Sequence, residues 1–251
     1  MLNIINIKDI ESIAKLAGDE IMKIYRQDFE IEYKDDKSPL TQADLKANEV
    51  ICNSLEKLYS NIPIMSEENK QTNYNERKDW KYYWCIDPID GTKEFIKKND
   101  EFTVNIALIH NSIPVIGVVY APAINKMYIA KKNEGAFLNG QKLPLKINDN
   151  KKDKLYVVAS KSHLSTETQE FIDNLDTKSI EQVSKGSSLK LCMVATGEAD
   201  IYPRLAPTME WDTAAADAIV RESGKMTYQF ENEKPVVYNK ENLLNPWFVV
   251  K

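Results

Sequence analysis

"CIDPIDGTKEF", residues 85–95, ends the apolar stretch Tyr82–Ile86 with two aspartates, Asp87 and Asp90, spaced three apart around Pro88. Carboxylates held this close repel one another, and burial raises their pKa further. A hard divalent cation with oxygen ligands removes both penalties. Pro88 fixes its own φ and offers no N–H to compete for acceptors. That lets both carboxylates and the Ile89 carbonyl turn toward one point. Gly91 permits close backbone approach to a ligand. A helix opening at Thr92 would present unpaired N–H groups to an anion. Metal and phosphate at one turn is the arrangement that metal-assisted phosphate ester hydrolysis requires.

The rest of the chain limits what this turn can serve. With 251 residues, one large domain or two closely packed ones are expected. The formal charge of −5 and a pI of about 5.3 argue against nucleic acid or an anionic membrane as the main partner. Small phosphorylated substrates stay open, because a local site differs from the whole. Cys52, Cys85 and Cys192 are widely spaced and form no CxxC, and there are only two histidines, so neither a disulfide framework nor structural zinc is expected. The N-terminal stretch lacks a signal-peptide apolar region, and no run is long enough to span a bilayer. A cytoplasmic protein is the expectation, with peripheral contact at the inner face of the membrane left open.

Apolar positions Ile10, Ile13, Ala14, Ala17, Ile21 and Ile24 predict a helix within residues 4–25. Residues 29–33 alternate like a strand, and 34–39 form a charged loop. A second helix spans 42–59, with Thr41 as cap and Asp44 three residues on. Residues 61–69 read as a buried strand ending at Glu67 and Glu68, followed by a polar connection over 70–81. Strands follow at 82–86, 102–109, 114–122 and 126–132, and Asn139-Gly140 marks a hairpin within 136–143. A charged bridge, 148–154, divides an N-terminal half, 1–150, from a C-terminal half, 151–251. The latter opens with a strand at 155–160 and carries helices at 187–197 and 211–224. Asp212 lies near the N-cap of the last helix, and Gly224 is its expected C-cap.

Taken singly, each acid has an ordinary role. Asp-Gly is a common turn, a surface Glu-Glu is solvated, Asp44 suits a helix first turn, and Asp212 suits a cap. As an ordered set, Asp44, "SEE" (66–68), "DPIDGT" (87–92) and "WDTAA" (211–215) resemble the lithium-sensitive, magnesium-dependent phosphatase superfamily that includes inositol monophosphatase. "SPLTQAD" (38–44), "DGTKEFIKKNDEFTVNIALI" (90–109), "SKSH" (160–163), "GSSLK" (186–190) and "YPRLAPT" (202–208) resemble its CysQ-type 3′(2′),5′-bisphosphate nucleotidase branch.

The resemblance implies an α/β fold, a layered αβαβα sandwich forming one continuous catalytic unit. It implies that Glu67, Asp87 and the Ile89 carbonyl bind a first magnesium, and that Asp87, Asp90 and Asp212 bind a second. Glu68 would help to hold a weaker third ion, beside a mobile lid at 34–39. Thr92, supported by Asp44, would activate the attacking water, and the N–H groups of Gly91 and Thr92 would hold the phosphate. The implied activity is hydrolysis of 3′-phosphoadenosine 5′-phosphate to AMP, in sulfur assimilation and nucleotide recycling. Lithium sensitivity is implied too. Dimers are common in the superfamily, although nothing in the sequence forces one. One departure is "RESGK" (221–225), where many relatives carry a double glycine.

A bisphosphate also needs a second anion site. Gly186, Ser187 and Ser188 open a helix with Lys190 close by, Arg204 adds a fork donor, and His163 is placed to contact the nucleotide. The alternatives are an inositol or sugar monoesterase, which needs no such site, and a catalytically silent nucleotide-binding protein.

Overall fold

A computed structural model describes residues 2–33, 39–149, 153–159 and 165–251. His163 and most of the loop at 34–39 lie outside these residues. In chain order the elements are α1 (Ile7–Tyr25), β1 (Ile31–Tyr33), β2 (Pro39–Thr41), α2 (Gln42–Tyr59), β3 (Ile64–Ser66), α3 (Tyr74–Arg77), β4 (Tyr82–Asp90) and α4 (Thr92–Ile96). There follow β5 (Thr103–His110), β6 (Ile113–Ala121), β7 (Lys126–Lys131), β8 (Gly135–Leu138), β9 (Gln141–Lys142), β10 (Leu155–Val158), α5 (Thr166–Asp173) and β11 (Ile180–Val183). The chain closes with α6 (Leu189–Thr196), β12 (Tyr202–Arg204), α7 (Glu210–Glu222), β13 (Thr227–Gln229) and β14 (Phe248–Val250).

Strands β3 to β9 form one seven-stranded sheet in sequence order, antiparallel except for the parallel β3–β4 pair. Its two faces follow from strict alternation. Trp84, Ile86, Val104, Ile106 and Leu108 pack with Ile10, Ile13 and Ile21 of α1 and Ile51 and Leu55 of α2. Tyr83, Cys85, Ala107 and Ile109 point the other way, onto Trp211, Ala214, Ala215 and Ile219 of α7 and Leu189 and Cys192 of α6. Beyond α6 and α7 lie the β10–β11 pair and the three-stranded sheet β12-β14-β13. There Ile172 of α5 packs with Val157, Ile201 and Val249. The layers are therefore α, β, α, β, α.

The sequence reading needs adjusting at several ends. The first helix begins at Ile7, where the Asn6 side chain accepts from the Lys8 N–H. The strand expected over 61–69 shrinks to Ile64–Ser66, so Glu67 and Glu68 sit in the following turn. β4 runs four residues past Ile86, which puts Asp87 and Asp90 inside the strand and not after it. The helix expected from 187 starts at Leu189. Ser223 is the C-cap of α7, with Gly224 one residue beyond at φ +85°. Ser223 is in the right-handed region and donates to the Val220 carbonyl, whereas Gly224 takes the left-handed φ that favours glycine. Asn139 and Gly140 both take positive φ in the β8–β9 hairpin, as a type I′ turn demands.

Helix α7 lies unusually close to the sheet. A Cβ built on Gly117 of β6 would come 2.1 Å from the Ala215 carbonyl oxygen and 2.7 Å from the Ala218 Cβ. Because both contacts are rigid, Gly117→Ala must push α7 off the sheet. The expected cost is about 1–3 kcal/mol, read as a lower urea midpoint. An unchanged midpoint would contradict this packing.

Candidate active site

The bulge in β4 explains the Asp-Pro-Ile-Asp spacing. In a regular strand, residues three apart point to opposite faces. Here Asp87 pairs with Asn105 and Asp90 with Thr103, so β4 carries one residue more than β5 between these pairs. The extra residue returns Asp87 and Asp90 to the same face. Pro88, with no N–H for the ladder, is suited to such a break. That face is the one covered by α7, which brings Asp212. The Asp212 carboxylate accepts from the Met209 N–H at 2.8 Å, which ties it to the helix start.

Carboxylate oxygens of Glu67, Asp87 and Asp212 lie within 4.8 Å of one another. Glu67 enters from the turn after β3, where its N–H donates to the Ile86 carbonyl. Asp87 is buried, and its Oδ1 has no hydrogen-bond partner. Burial raises the Asp87 carboxyl well above the ordinary range, and Glu67, Asp90, Asp212 and Asp44 push it further. Burial, then Asp90, lifts Asp212 to about 8. A buried acid with an orphaned oxygen, beside two half-buried acids that repel it, fits a hard divalent cation.

Asp90 is held differently. The Ser188 hydroxyl lies 2.6 Å from Asp90 Oδ2 and 2.8 Å from the Asp212 carbonyl, and it accepts from Asn105 Nδ2 at 2.8 Å. Ser188, expected to face substrate, thus bridges two acid-bearing segments. The sequence marks Asn105 only as a lone amide among the apolar residues of "FTVNIALI".

On the opposite side, Thr92 Oγ1 is 3.2 Å from both Asp44 Oδ1 and the Ile89 carbonyl. Asp44 Oδ2 accepts from the Thr41 N–H and hydroxyl at 2.8 and 2.6 Å. One carboxylate therefore completes the α2 capping box and reaches across to the Gly91–Thr92 turn. Burial raises the Asp44 pKa against the pull of these donors. Gly91, at φ +92°, is the N-cap of α4, and the first N–H groups of a helix lack intrahelical acceptors.

Asp90, Gly91 and Asp212 also line a pocket of about 360 Å³ shared with Ser187, Lys190 and Arg204. Ser187 adopts φ +49° and its buried hydroxyl has no partner, nor has Arg204 Nε. Burial lowers the Lys190 pKa, against the pull of Asp90. Gly186 does not offer its N–H to the pocket, because that group donates to Glu101 Oε2 at 2.8 Å. Lys93, Lys97 and Lys185 add positive charge to the lining, which the sequence reading did not assign.

These shifts fix a pH dependence. Folded, cation-free Asp212 keeps its proton to about pH 8, whereas the unfolded chain releases it near pH 4. The folded state binds more protons between these values, so cation-free stability falls as pH rises through the window and levels off above it. A cation needs deprotonated ligands, so its stabilisation grows with pH. Thermal melts at about pH 5 and about pH 8.5, with chelator or magnesium, should show the difference in Tm widening. A constant or narrowing difference would refute the buried cluster.

The chain matches the inositol monophosphatase family over residues 6–246. It is 42% identical over 242 residues to "3′(2′),5′-bisphosphate nucleotidase CysQ" of Escherichia coli O6:H1, covering 95% of this chain and 96% of that one. It is 36% identical to the protein of that name from Haemophilus influenzae, covering 95% and 89%. Among solved structures it is similar to CysQ from Bacteroides thetaiotaomicron, "a bacterial member of the inositol monophosphatase family". That match has a TM-score of 0.87 at 43% identity and covers 97% and 96% of the two chains. With the acid set, the αβαβα layers and these matches together, the chain belongs to the inositol monophosphatase family.

Proposed function

We propose that this chain is a magnesium-dependent 3′(2′),5′-bisphosphate nucleotidase that hydrolyses 3′-phosphoadenosine 5′-phosphate to AMP and phosphate. The observation that carries this reading is a juxtaposition. Asp212 of the acidic cluster and the neighbouring Asp90 line the same pocket as Ser187, Lys190 and Arg204. A cleavable phosphate at the acids leaves room for a second phosphate at the cations. The CysQ relatives, 36–42% identical over most of the chain, bear the name 3′(2′),5′-bisphosphate nucleotidase, which supports a bisphosphate nucleotide as substrate.

Glu67, Asp87 and the Ile89 carbonyl are assigned to one magnesium, and Asp87, Asp90 and Asp212 to a second, with Glu68 beside a third. The bound ions would neutralise the acids, acidify a water and stabilise the leaving oxygen. The chain's own groups do the rest. Asp44 accepts the Thr92 hydroxyl proton, which turns the Thr92 lone pairs toward a water and orients it for attack. The raised pKa of Asp44 makes that carboxylate a stronger base. The amides of Gly91 and Thr92 hold the phosphate undergoing cleavage. Ser187, Lys190 and Arg204 take the second phosphate, with His163 as a nucleotide contact. Lys190, a cation within a half-buried site, attracts phosphate more strongly than one in open water would. The three described cysteines are all free, which suits a reducing cytoplasm. None of the described helices is long and apolar enough to cross a membrane.

Asp90→Asn is expected to lower kcat by more than about 100-fold while the far-ultraviolet circular dichroism stays unchanged, since loss of a ligand exceeds loss of an outer partner. Retained turnover would overturn the metal assignment. Lys190→Ala and Arg204→Ala should each raise KM for the bisphosphate about tenfold or more and change inositol 1-phosphate turnover little. Phosphate release from both substrates, with and without magnesium, decides the function. Preference for inositol 1-phosphate would keep the acid site but overturn the second anion site.

A further inference from the structure

Two glycines from different segments both pack against Glu101, which has no assigned role. Both also approach the Glu94 side chain, whose Cγ would lie 2.7 Å from a Gly186 Cβ and whose Oε2 would lie 3.4 Å from a Gly91 Cβ. A Cβ on Gly91, in the phosphate turn, would lie 3.2 Å from the Glu101 carbonyl oxygen and 3.3 Å from the Ser187 Cβ. A Cβ on Gly186, in the loop of the second anion site, would lie 2.7 Å from the same carbonyl oxygen and 2.9 Å from the Glu101 Cβ. The backbone of Glu101 is thus wedged between the two anion-binding segments. Its carboxylate then takes hold of one of them. Oε2 accepts from the Gly186 N–H at 2.8 Å, and Oε1 pairs with Lys185 Nζ at 3.1 Å.

The wedge is itself fixed. Glu101 follows a turn in which Lys98 and Asp100 take positive φ. Tyr25 of α1 donates to Asp100 Oδ1 at 2.8 Å and accepts from the Asp100 N–H at 3.2 Å. Lys98 Nζ donates to the Tyr25 and Gln27 carbonyls. The residue that grips the 185–186 turn is therefore anchored through its neighbours to the end of a nineteen-residue helix.

We propose that Glu101 is a specificity-determining positioning residue, which sets the separation between the phosphate that is cleaved and the second phosphate. The inference rests on the nucleotidase reading given above. Among the described residues the Glu101 carboxylate grips the Lys185–Gly186 segment, whereas Gly91 lies against the Glu101 carbonyl. Removing the carboxylate frees the second-anion loop and leaves the phosphate turn as it was. Ser187, adjacent to Gly186 and held at a left-handed φ, is the first binding group to lose its place. A substrate with two phosphates feels this change, and one with a single phosphate does not.

The test compares 3′-phosphoadenosine 5′-phosphate with adenosine 3′-monophosphate on wild type, Glu101→Ala and Glu101→Gln, with magnesium present. In Glu101→Ala, kcat/KM for the bisphosphate should fall about tenfold, the size of one charge-assisted hydrogen bond, chiefly through KM. For the monophosphate it should fall less than about twofold. Glu101→Gln keeps an acceptor for the Gly186 N–H and loses the charge facing Lys185, so it should recover part of the preference. The substrate ratio is taken within one preparation, so an inactive fraction cancels, and Glu101→Gln still decides the matter if the alanine variant does not fold. Equal losses on both substrates, or a preference unchanged in both variants, would overturn the proposal while the nucleotidase reading stands. A wild type that does not prefer the bisphosphate would overturn both.

Discussion

Mutual repulsion among carboxylates gathered around the buried Asp87 is the constraint to which the rest of this structure answers. Glu67, Asp87, Asp90 and Asp212 come from a turn, a bulged strand and a helix. None would choose this proximity without a cation to share. The fold supplies the force that holds them together. Two apolar layers grip the seven-stranded sheet, and α7 is pressed against Gly117 closely enough to exclude a methyl group.

Holding α7 requires more than apolar contact. The helix also carries charged groups that are themselves buried, Glu210 and Asp217. Glu210 accepts from the N–H groups of Asn239 and Lys240 and pairs with Lys240 Nζ at 2.6 Å. Asp217 pairs with Arg221 and accepts from the Tyr238 hydroxyl. Asn245 donates to the Met209 carbonyl, one residue before the helix. Such pairs contribute little net stability compared with apolar replacements, but they are costly to break singly. They fix the rotation and register of α7, and hence the position from which Asp212 projects. The segment from 236 to 245 thus acts as a brace for the acid cluster although it carries none of the acids.

Much of this was legible in the sequence because the signals are local. The α1 periodicity, the Thr41–Asp44 cap, the Asn139-Gly140 hairpin and the Asp-Pro-Ile-Asp-Gly-Thr turn each declare themselves within a few residues. What stayed hidden depends on distant partners. The bulge that aligns Asp87 with Asp90 exists only in register with β5. The role of Ser188 beside Asp90 needs residues 98 positions apart to meet. Gly186 reads as an anion-binding glycine until Glu101, 85 residues earlier, is seen to occupy its N–H. The short strands β12, β13 and β14 have three residues each, too few for alternation to show.

Asp44 caps α2 through Thr41 with one oxygen and reaches Thr92 with the other. Under the proposed mechanism a single side chain thus serves folding and chemistry at once, and the two cannot be optimised independently. A substitution that silences the reaction there also frays a helix start. Loss of function at this position is therefore no measure of catalytic contribution by itself. On that reading, selection for activity alone would preserve the cap, and selection for thermal tolerance alone would preserve the contact with Thr92. Any drift at this position must pass through a chain that is both less active and less stable, so Asp44 is among the positions least free to explore alternatives.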